Sequence, residues 1–215
     1  LLRRFLRIIR RVTGSRFLRF FVHTQALTKL TKPDKTILGI DPGTNILGFG
    51  IIRVEGGKPR FLDMGVLDLR KMDSPYDKLE LIYEKVGALC DLHNPEEVAI
   101  ESPFYGKNAQ VILKLGRAQG AAMIAALSRG KQVYEYAPRK AKMAICGNGA
   151  ASKEQVSLIV QKTLGIKIEN KYLDATDALA LAMCHFYQQS SPLTANGASS
   201  SWEKFIADNP DRIKK

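Results

Sequence analysis

Short apolar runs separated by turn residues make up the first part of the folded region of this chain. The run at 37–40 ends in the carboxylate of Asp41, and a Pro-Gly pair at 42–43 favours a tight turn, because proline presets φ and glycine accepts positive φ. A second apolar run follows, and after the Gly-Gly turn at 56–57 a third strand is predicted over 60–69. The pattern predicts three antiparallel strands, with Asp41 at the end of the first.

Helical and strand patterns alternate in the rest of the folded region. Ser74 followed by Pro75 opens a helix, and Ser152 with Gln155 makes a capping box that starts another. The remaining predictions are a helix to 93, a strand at 97–101, a helix at 107–128, a strand at 132–136, a helix from 138 to 146, a helix from 152 to 164 and a last helix at 174–187. The sequence therefore predicts an α/β domain over 36–188, with three antiparallel strands and then two parallel strands in one five-stranded mixed sheet flanked by helices.

Both ends of the chain differ in composition from this domain. Residues 1–35 show a basic amphipathic pattern and are expected to be a disordered extension, with an organelle transit segment or a helix on an anionic surface as alternatives. Residues 189–215 are expected to be a flexible linker that ends in a short amphipathic segment. That segment contains Trp202, Phe205 and Ile206, which would pack on the domain or on a partner.

Composition limits the classes of function that need to be considered. The 215 residues carry a net charge of +12, but residues 1–32 hold nine of the basic side chains and no acidic one, so the rest of the chain is nearly neutral. Overall basicity is therefore weak evidence for a nucleic-acid partner. No apolar run approaches the roughly 18 residues of a membrane span. The three cysteines are widely spaced, which disfavours a disulfide framework or a zinc site and fits a reducing compartment.

Four acidic residues are predicted to meet at one end of the sheet. Asp41 and Glu101 each end a buried strand, while Asp174 and Asp177 lie three residues apart in the first turn of the last helix. Asp174 taken alone would be read as a helix cap. Close carboxylates repel by roughly 4 kcal/mol per pair at an effective dielectric constant of about 20, so they protonate or bind cations. Oxygen-only ligands favour Mg²⁺ or Mn²⁺, and two such ions about 4 Å apart are suited to phosphodiester hydrolysis.

Small residues mark two places where another group approaches closely. Gly48 and Gly50 leave the second strand bare, so that DNA or a helix comes near it. The helix at 107–128 contains Gly116 and Gly120 together with several alanines. Such a helix packs tightly within its own domain or at a subunit interface.

The order of elements and acids resembles the RNase H-like superfamily, and several motifs resemble its RuvC family of Holliday-junction resolvases. The resemblance covers about 37–187. It rests on Ile-Asp41-Pro-Gly-Thr, Glu101-Ser-Pro-Phe-Tyr-Gly-Lys-Asn, Leu-Gly116-Arg-Ala-Gln-Gly120, the run from Glu135-Tyr-Ala to Ser152-Lys-Glu-Gln155, and Asp174-Ala-Thr-Asp-Ala-Leu-Ala.

This resemblance implies an endodeoxyribonuclease that resolves four-way junctions in recombination and repair. It places two Mg²⁺ ions, replaceable by Mn²⁺, on Asp41, Glu101, Asp174 and Asp177. It also implies a homodimer with Gly116 and Gly120 as interface candidates, a branch-migration helicase as partner, and a bacterial cytoplasmic location. The implied DNA contacts are base stacking by Phe104 and phosphate contacts by Lys107, Lys142 and Lys153; without the resemblance, Phe104 would be read as loop packing and the lysines as solvated charges.

Three other functions fit parts of the pattern. An actin-like ATPase also carries Asp-x-Gly-Thr after a strand, but such proteins need a second glycine-rich phosphate loop and roughly twice this length. A non-catalytic protein that binds branched DNA would not need the four acids. A nuclease acting on RNA or on another branched substrate remains open, because the acids do not contact the sugar.

Overall fold

The described residues form one sheet of five strands in the order β3-β2-β1-β4-β5. The computed structural model describes residues 34–103, 108–168 and 173–190. The strands are β1 (Lys35–Asp41), β2 (Ile46–Glu55), β3 (Lys58–Asp68), β4 (Glu97–Glu101) and β5 (Gln132–Tyr136). Expectations about residues 1–33, Phe104, Lys107 and the segment with Trp202 lie outside the described residues.

Antiparallel and parallel pairing divide the sheet as the sequence predicted. β1 pairs antiparallel with β2, and β2 pairs antiparallel with β3. β4 lies parallel to β1 on one side and to β5 on the other. The predicted five-stranded mixed sheet is thereby confirmed.

Five helices of the described residues cover the two faces of the sheet. They are α1 (Pro75–His93), α2 (Ala109–Leu127), α3 (Pro138–Cys146), α4 (Lys153–Leu164) and α5 (Leu173–Ser190). Buried side chains of α1 and α2 share one core cluster with Leu38 and Ile40 of β1. Those of α3, α4 and α5 share the other cluster with Ile37 of β1. None of the described helices is both long and apolar enough to cross a bilayer.

Local capping explains where several helices begin. Ser74 accepts hydrogen bonds from the amides of Tyr76 and Asp77, and Ser152 forms the predicted capping box with Gln155. The expected start of α2 at residue 107 was too early, because Asn108 caps this helix by accepting hydrogen bonds from the first-turn amides. The last helix was expected over 174–187 and is longer at both ends.

Candidate active site

Asp41 and Glu101 lie side by side at the carboxyl ends of two neighbouring parallel strands. In the register of β1 and β4, Ile40 lies opposite Ile100, one residue before each acid. Ile37 on β1 and Ala99 on β4 belong to the core beneath α3, α4 and α5. Alternate residues of a strand face the same side, so Asp41 and Glu101 project toward these helices. Two carboxylates are thus fixed on rigid backbone at one end of the sheet.

The N-terminal turn of α5 supplies the other two acids, and glycines bring that helix onto the sheet. A Cβ built on Gly48 would lie 2.2 Å from the carbonyl oxygen of Asp174. One built on Gly39 would lie 1.9 Å from the carbonyl oxygen of Ala178, and one on Gly50 would lie 2.6 Å from the amide nitrogen of Leu179. Of the two partners expected for the bare second strand, the structure places a helix there. The glycines let the backbone of α5 touch the sheet directly.

Asp41, Asp174 and Asp177 converge closely enough to share a cation. Each offers one carboxylate oxygen, and the three oxygens all lie within 4.8 Å of one another. Oxygen-only donors of this kind suit a hard divalent cation such as Mg²⁺ or Mn²⁺. Glu101 is not in this group of three, but the negative charges of Asp41 and Asp177 add to burial in raising its pKa. The donor chemistry therefore fits the metal that the sequence predicts.

The pKa values of these acids show the electrostatic cost of bringing them together. Burial, the charge of Asp177 and, less strongly, that of Asp174 raise the pKa of Asp41 from 3.8 to about 7, against the opposing charge of Lys153. Burial and the charge of Asp41 raise the pKa of Glu101 from 4.5 to about 8. The pKa of Asp177 is also raised, mainly by burial. A divalent cation would favour the ionised carboxylates and so oppose both the burial and the repulsion that raise these pKa values.

Among the described residues, Lys153 and Lys142 are cations whose charges act on the acids. Lys153 is the first residue of α4, and its Nζ lies 2.6 Å from Oδ2 of Asp177 and 3.4 Å from Oδ1 of Asp174. Hydrogen bonding to Asp177 and the charges of the acids raise the pKa of Lys153 although burial opposes the shift. Lys142 on α3 is near enough for its positive charge to limit the rise in the pKa values of Glu101 and Asp177. Both lysines therefore lie at the acidic site.

Gln119 contacts the site but was not among the site residues predicted from the sequence. Gln119 on α2 is buried, and its Nε2 donates to the backbone carbonyl of Glu101 at 3.1 Å and to Oε2 of Glu135 at 2.9 Å. It therefore ties α2 to the end of β4. A polar residue among the buried alanines of a helix was the available signal.

The histidine nearest in sequence to the acids of α5 serves another purpose. His185 was expected to lie about 12 Å along the helix from Asp177, too far to be a ligand. It is fully buried, with Nδ1 hydrogen-bonded to the Tyr136 hydroxyl at 2.6 Å and Nε2 to Glu97 at 2.9 Å. Glu97 begins β4, at the opposite end of that strand from Glu101, while Tyr136 ends β5 beside Glu101. Both imidazole nitrogens of His185 are thus held by Tyr136 and Glu97 rather than turned to the four acids.

The small residues of α2 divide between two faces of the helix. Ala118, Ala122, Ala125 and Ala126 are buried in the core shared with α1. By contrast, a Cβ built on Gly116 or Gly120 meets no described atom within 4 Å. At helical spacing these glycines share a face with Leu113, Ile124 and Leu127, which are exposed large apolar residues. We call these five residues the α2 outer face.

Sequence comparison places this fold and site in one family. Residues 37–185 match the family model described as crossover junction endodeoxyribonuclease RuvC. The chain is 53% identical over 183 residues to the crossover junction endodeoxyribonuclease RuvC of Bacteroides fragilis, covering 84% of this chain and 97% of that protein. It is 47% identical over 189 residues to the Porphyromonas gingivalis protein of the same name, covering 86% and 100%.

Solved structures agree with the sequence comparison. Thermus thermophilus RuvC matches with a TM-score of 0.65 and 35% identity, covering 72% of this chain and 96% of the other. The T. thermophilus RuvC complex with a Holliday junction substrate matches with a TM-score of 0.65 and 33% identity, covering 73% and 96%. The yeast mitochondrial resolvase Ydc2 shares the fold at a TM-score of 0.56 and 14% identity, covering 72% and 78%. The chain therefore has an RNase H-like fold and belongs to the RuvC family of crossover junction endodeoxyribonucleases.

Proposed function

We propose that this chain resolves four-way DNA junctions by metal-dependent hydrolysis of one phosphodiester in each of two opposed strands. The observation that carries the proposal is the convergence of Asp41, Asp174 and Asp177 within 4.8 Å, in a chain of the RuvC family. A phosphate would approach these acids only with a cation between them, because both are anionic. The site therefore fits phosphodiester chemistry better than binding alone.

Two Mg²⁺ ions, replaceable by Mn²⁺, would be held by Asp41, Glu101, Asp174 and Asp177. The ions would supply Lewis acidity that activates the attacking water and stabilises the leaving oxygen. The chain itself contributes the fixed spacing of the acids, since β1, β4 and α5 hold them on rigid elements. Such preorganisation keeps the geometry from relaxing as negative charge grows on the phosphate.

Lys153 and Lys142 would counter the charge of the phosphate that is being cleaved. Lys153 already lies 2.6 Å from Asp177, so its ammonium can reach a phosphate oxygen bound next to the acids. An ammonium fixed there stabilises the transition state more than the ground state, because the phosphate oxygens gain charge as the reaction proceeds. Phe104 and Lys107 would contact the DNA as well; for these two residues the support is the family match alone.

The working unit would be a twofold dimer joined through the α2 outer face. A symmetric junction has two strands to cut, and a twofold dimer presents one site to each. Leu113 and Ile124 on that face are each 57% exposed, and Gly116 and Gly120 between them allow a second helix to approach closely. A second copy of α2 would pack on this face, because a twofold contact brings the same apolar face of both copies together. A branch-migration helicase as further partner and a bacterial cytoplasmic location are part of the proposal on the basis of the family.

The test is a cleavage assay with a synthetic four-way junction and with duplex, splayed-arm and RNA–DNA hybrid substrates, each with and without Mg²⁺. We expect paired nicks in the junction that require the metal, and loss of cleavage but retention of junction binding in Asp41→Asn. Asp41→Asn cutting as fast as wild type would contradict the proposed site. Binding without cleavage in both Mg²⁺ and Mn²⁺ would instead favour a non-catalytic junction-binding protein, and hydrolysis of ATP would favour an actin-like ATPase.

A further inference from the structure

A cleft of about 310 Å³ lies at the same end of the sheet as the acids, but on the face covered by α1 and α2. The turn at 43–45 forms one wall, and Leu79 and Ile82 of α1 with Ala118 of α2 form an apolar floor. Its volume is at the lower end of the range for small-ligand sites. We call it the α1–α2 cleft.

The rim of the α1–α2 cleft is basic. Lys78, Lys114 and Arg117 line it, with Asp73 as the acidic side chain, so the charged groups sum to +2. Lys114, Arg117 and Asp73 are exposed, and Nζ of Lys78 lies 3.4 Å from the carbonyl oxygen of Thr44. Because the chain outside residues 1–32 is nearly neutral, three cations around one small cleft are a local concentration of charge.

The cleft lies next to the strands that carry Asp41 and Glu101. Gly43 follows Asp41 by two residues, so their Cα atoms lie within about 7.6 Å. The other wall is α2, whose Gln119 binds the carbonyl of Glu101. Asp41 is therefore separated from the near wall of the cleft by no more than the length of a short stretch of DNA backbone. A DNA strand that passes the metal-binding acids would therefore meet the cleft within a few nucleotides.

We propose that the α1–α2 cleft binds a non-scissile backbone phosphate of the junction DNA, with Lys114 and Arg117 as its main contacts. This inference rests on the proposed function. Ser74 already accepts hydrogen bonds from the amides of Tyr76 and Asp77, so the start of α1 offers no free donor from those two groups. Binding at the cleft is therefore carried by its basic side chains, and the site would position the strand without contacting bases.

The experiment measures binding of a four-way junction in Ca²⁺, over about 50 to 200 mM KCl, for wild type and for the double variant Lys114→Gln/Arg117→Gln. A phosphate contact by each residue predicts a salt slope that falls by about 2 in the double variant and by about 1 in Lys114→Gln, together with about tenfold weaker binding of the double variant. The matched control is Lys58→Gln/Arg60→Gln, which removes two exposed cations of β3 at the other end of the sheet. The control should keep the wild-type slope to within about 0.5.

The outcomes distinguish failure of the cleft proposal from failure of the proposed function. An equal change of slope in the cleft and control variants would mean long-range attraction and would overturn the cleft site. A second experiment titrates the protein with ATP. If the cleft variants lose nucleotide binding but keep their DNA affinity, the cleft binds a free nucleotide and the proposal is wrong. If wild type neither binds nor cuts the junction, the proposed function fails first. If wild type cuts normally and the cleft variants match their control, only the cleft proposal fails.

Discussion

Lys153 places its ammonium nitrogen 2.6 Å from Oδ2 of Asp177, so a cation from α4 already neutralises part of the acidic site. The same nitrogen lies 3.4 Å from Oδ1 of Asp174. Lys153 and a bound metal ion would therefore compete for two of the proposed ligands, Asp174 and Asp177. Lys153 is expected to weaken metal binding while it assists the reaction.

Replacing Lys153 by methionine separates these two effects. We expect Lys153→Met to reach half-maximal activity at a lower Mg²⁺ concentration, because a competing cation is gone, and to cut about 100-fold more slowly at saturation, because a charge next to the phosphate is lost. Single-turnover cleavage across a Mg²⁺ titration measures both. Lys162→Met, at the far end of the same helix, should leave both unchanged. Wild-type rate and Mg²⁺ dependence in Lys153→Met would remove the lysine from the mechanism.

The raised pKa of Asp41 predicts how stability depends on pH in the absence of metal. Its folded-state pKa of about 7 exceeds the ordinary value of 3.8, so between these values the folded protein binds more protons than the unfolded chain. The stabilising contribution is complete below about pH 3.8 and is lost as pH rises through 7. In EDTA, Asp41→Asn should therefore melt several degrees above wild type at pH 8.5, with a much smaller difference at pH 4.5.

Thermal unfolding followed by circular dichroism at both pH values makes the measurement. Glu80→Gln makes the corresponding change on an exposed position of α1 and should show no such gap. Mg²⁺ should raise the melting temperature of wild type more than that of Asp41→Asn, because the variant lacks one of the proposed ligands. A melting temperature for Asp41→Asn at or below wild type at pH 8.5 would contradict the expected cost of an ionised Asp41 in the fold.

Gly48→Ala tests whether the contact between β2 and α5 sets the position of the acids. The new Cβ would lie 2.2 Å from the carbonyl oxygen of Asp174, so the start of α5 must shift. We expect a loss of about 1 to 3 kcal/mol in the free energy of unfolding and a drop of about 100-fold in cleavage, since small displacements at a reacting centre are costly. Urea unfolding and junction cleavage are the two readouts.

Gly65→Ala is the matched control for that substitution. Its Cβ would lie 2.7 Å from the ring of Phe49, a side chain that can turn away, on a strand that carries none of the four acids. It should lose some stability and keep cleavage within about threefold. If both variants lose cleavage in the same proportion to stability, the special role of Gly48 is wrong.

Gln119 is expected to act as a positioning residue for Glu101. Gln119→Ala removes the hydrogen bond to the carbonyl of Glu101, and we expect about tenfold slower cleavage at low Mg²⁺ that recovers partly at saturating Mg²⁺. The Mg²⁺ concentration for half-maximal cleavage is the decisive readout. A purely structural loss would lower the melting temperature but leave this Mg²⁺ concentration unchanged. Gln110→Ala, on an exposed position of the same helix, is the control.

The α2 outer face predicts the oligomeric state. Ile124→Glu puts a charge on a position that is 57% exposed in the single chain, so the fold should survive while dimerisation fails. Analytical ultracentrifugation should show monomers, and junction cleavage should stop at a single nick. Leu158→Glu on α4, a position that is 66% exposed and lies away from this face, should remain dimeric. A dimeric Ile124→Glu would place the interface elsewhere.

The sequence predicted most of the fold, because each strand, turn and helix start depends mainly on residues within that element. Short apolar runs identified the strands, and the turns and caps that separate the elements are read directly from proline, glycine and serine. Asp41 and Glu101 could be placed together because parallel strands end at the same edge of a sheet. Their metal role was already a hypothesis from residue type and spacing.

The remaining features depend on contacts between elements far apart in sequence. The family resemblance placed Lys153 near the cleaved strand, but its ion pair with Asp177 depends on how α4 and α5 pack. Gln119 reaches Glu101 only because α2 lies across the end of β4. The α1–α2 cleft is formed by segments up to 75 residues apart, from Gly43 to Ala118, which no local pattern brings together.

The direct contact of α5 with the glycines of β1 and β2 has a consequence for divergence within the family. Because Gly39, Gly48 and Gly50 meet the helix at its main chain, the separation between Asp41 and Asp174 is set by peptide geometry. Main-chain dimensions are the same in every sequence, so apolar side chains elsewhere in the core can be exchanged without moving the acids. Relatives can thus differ in core composition and keep the same spacing of the acids, provided that these three positions stay free of side chains.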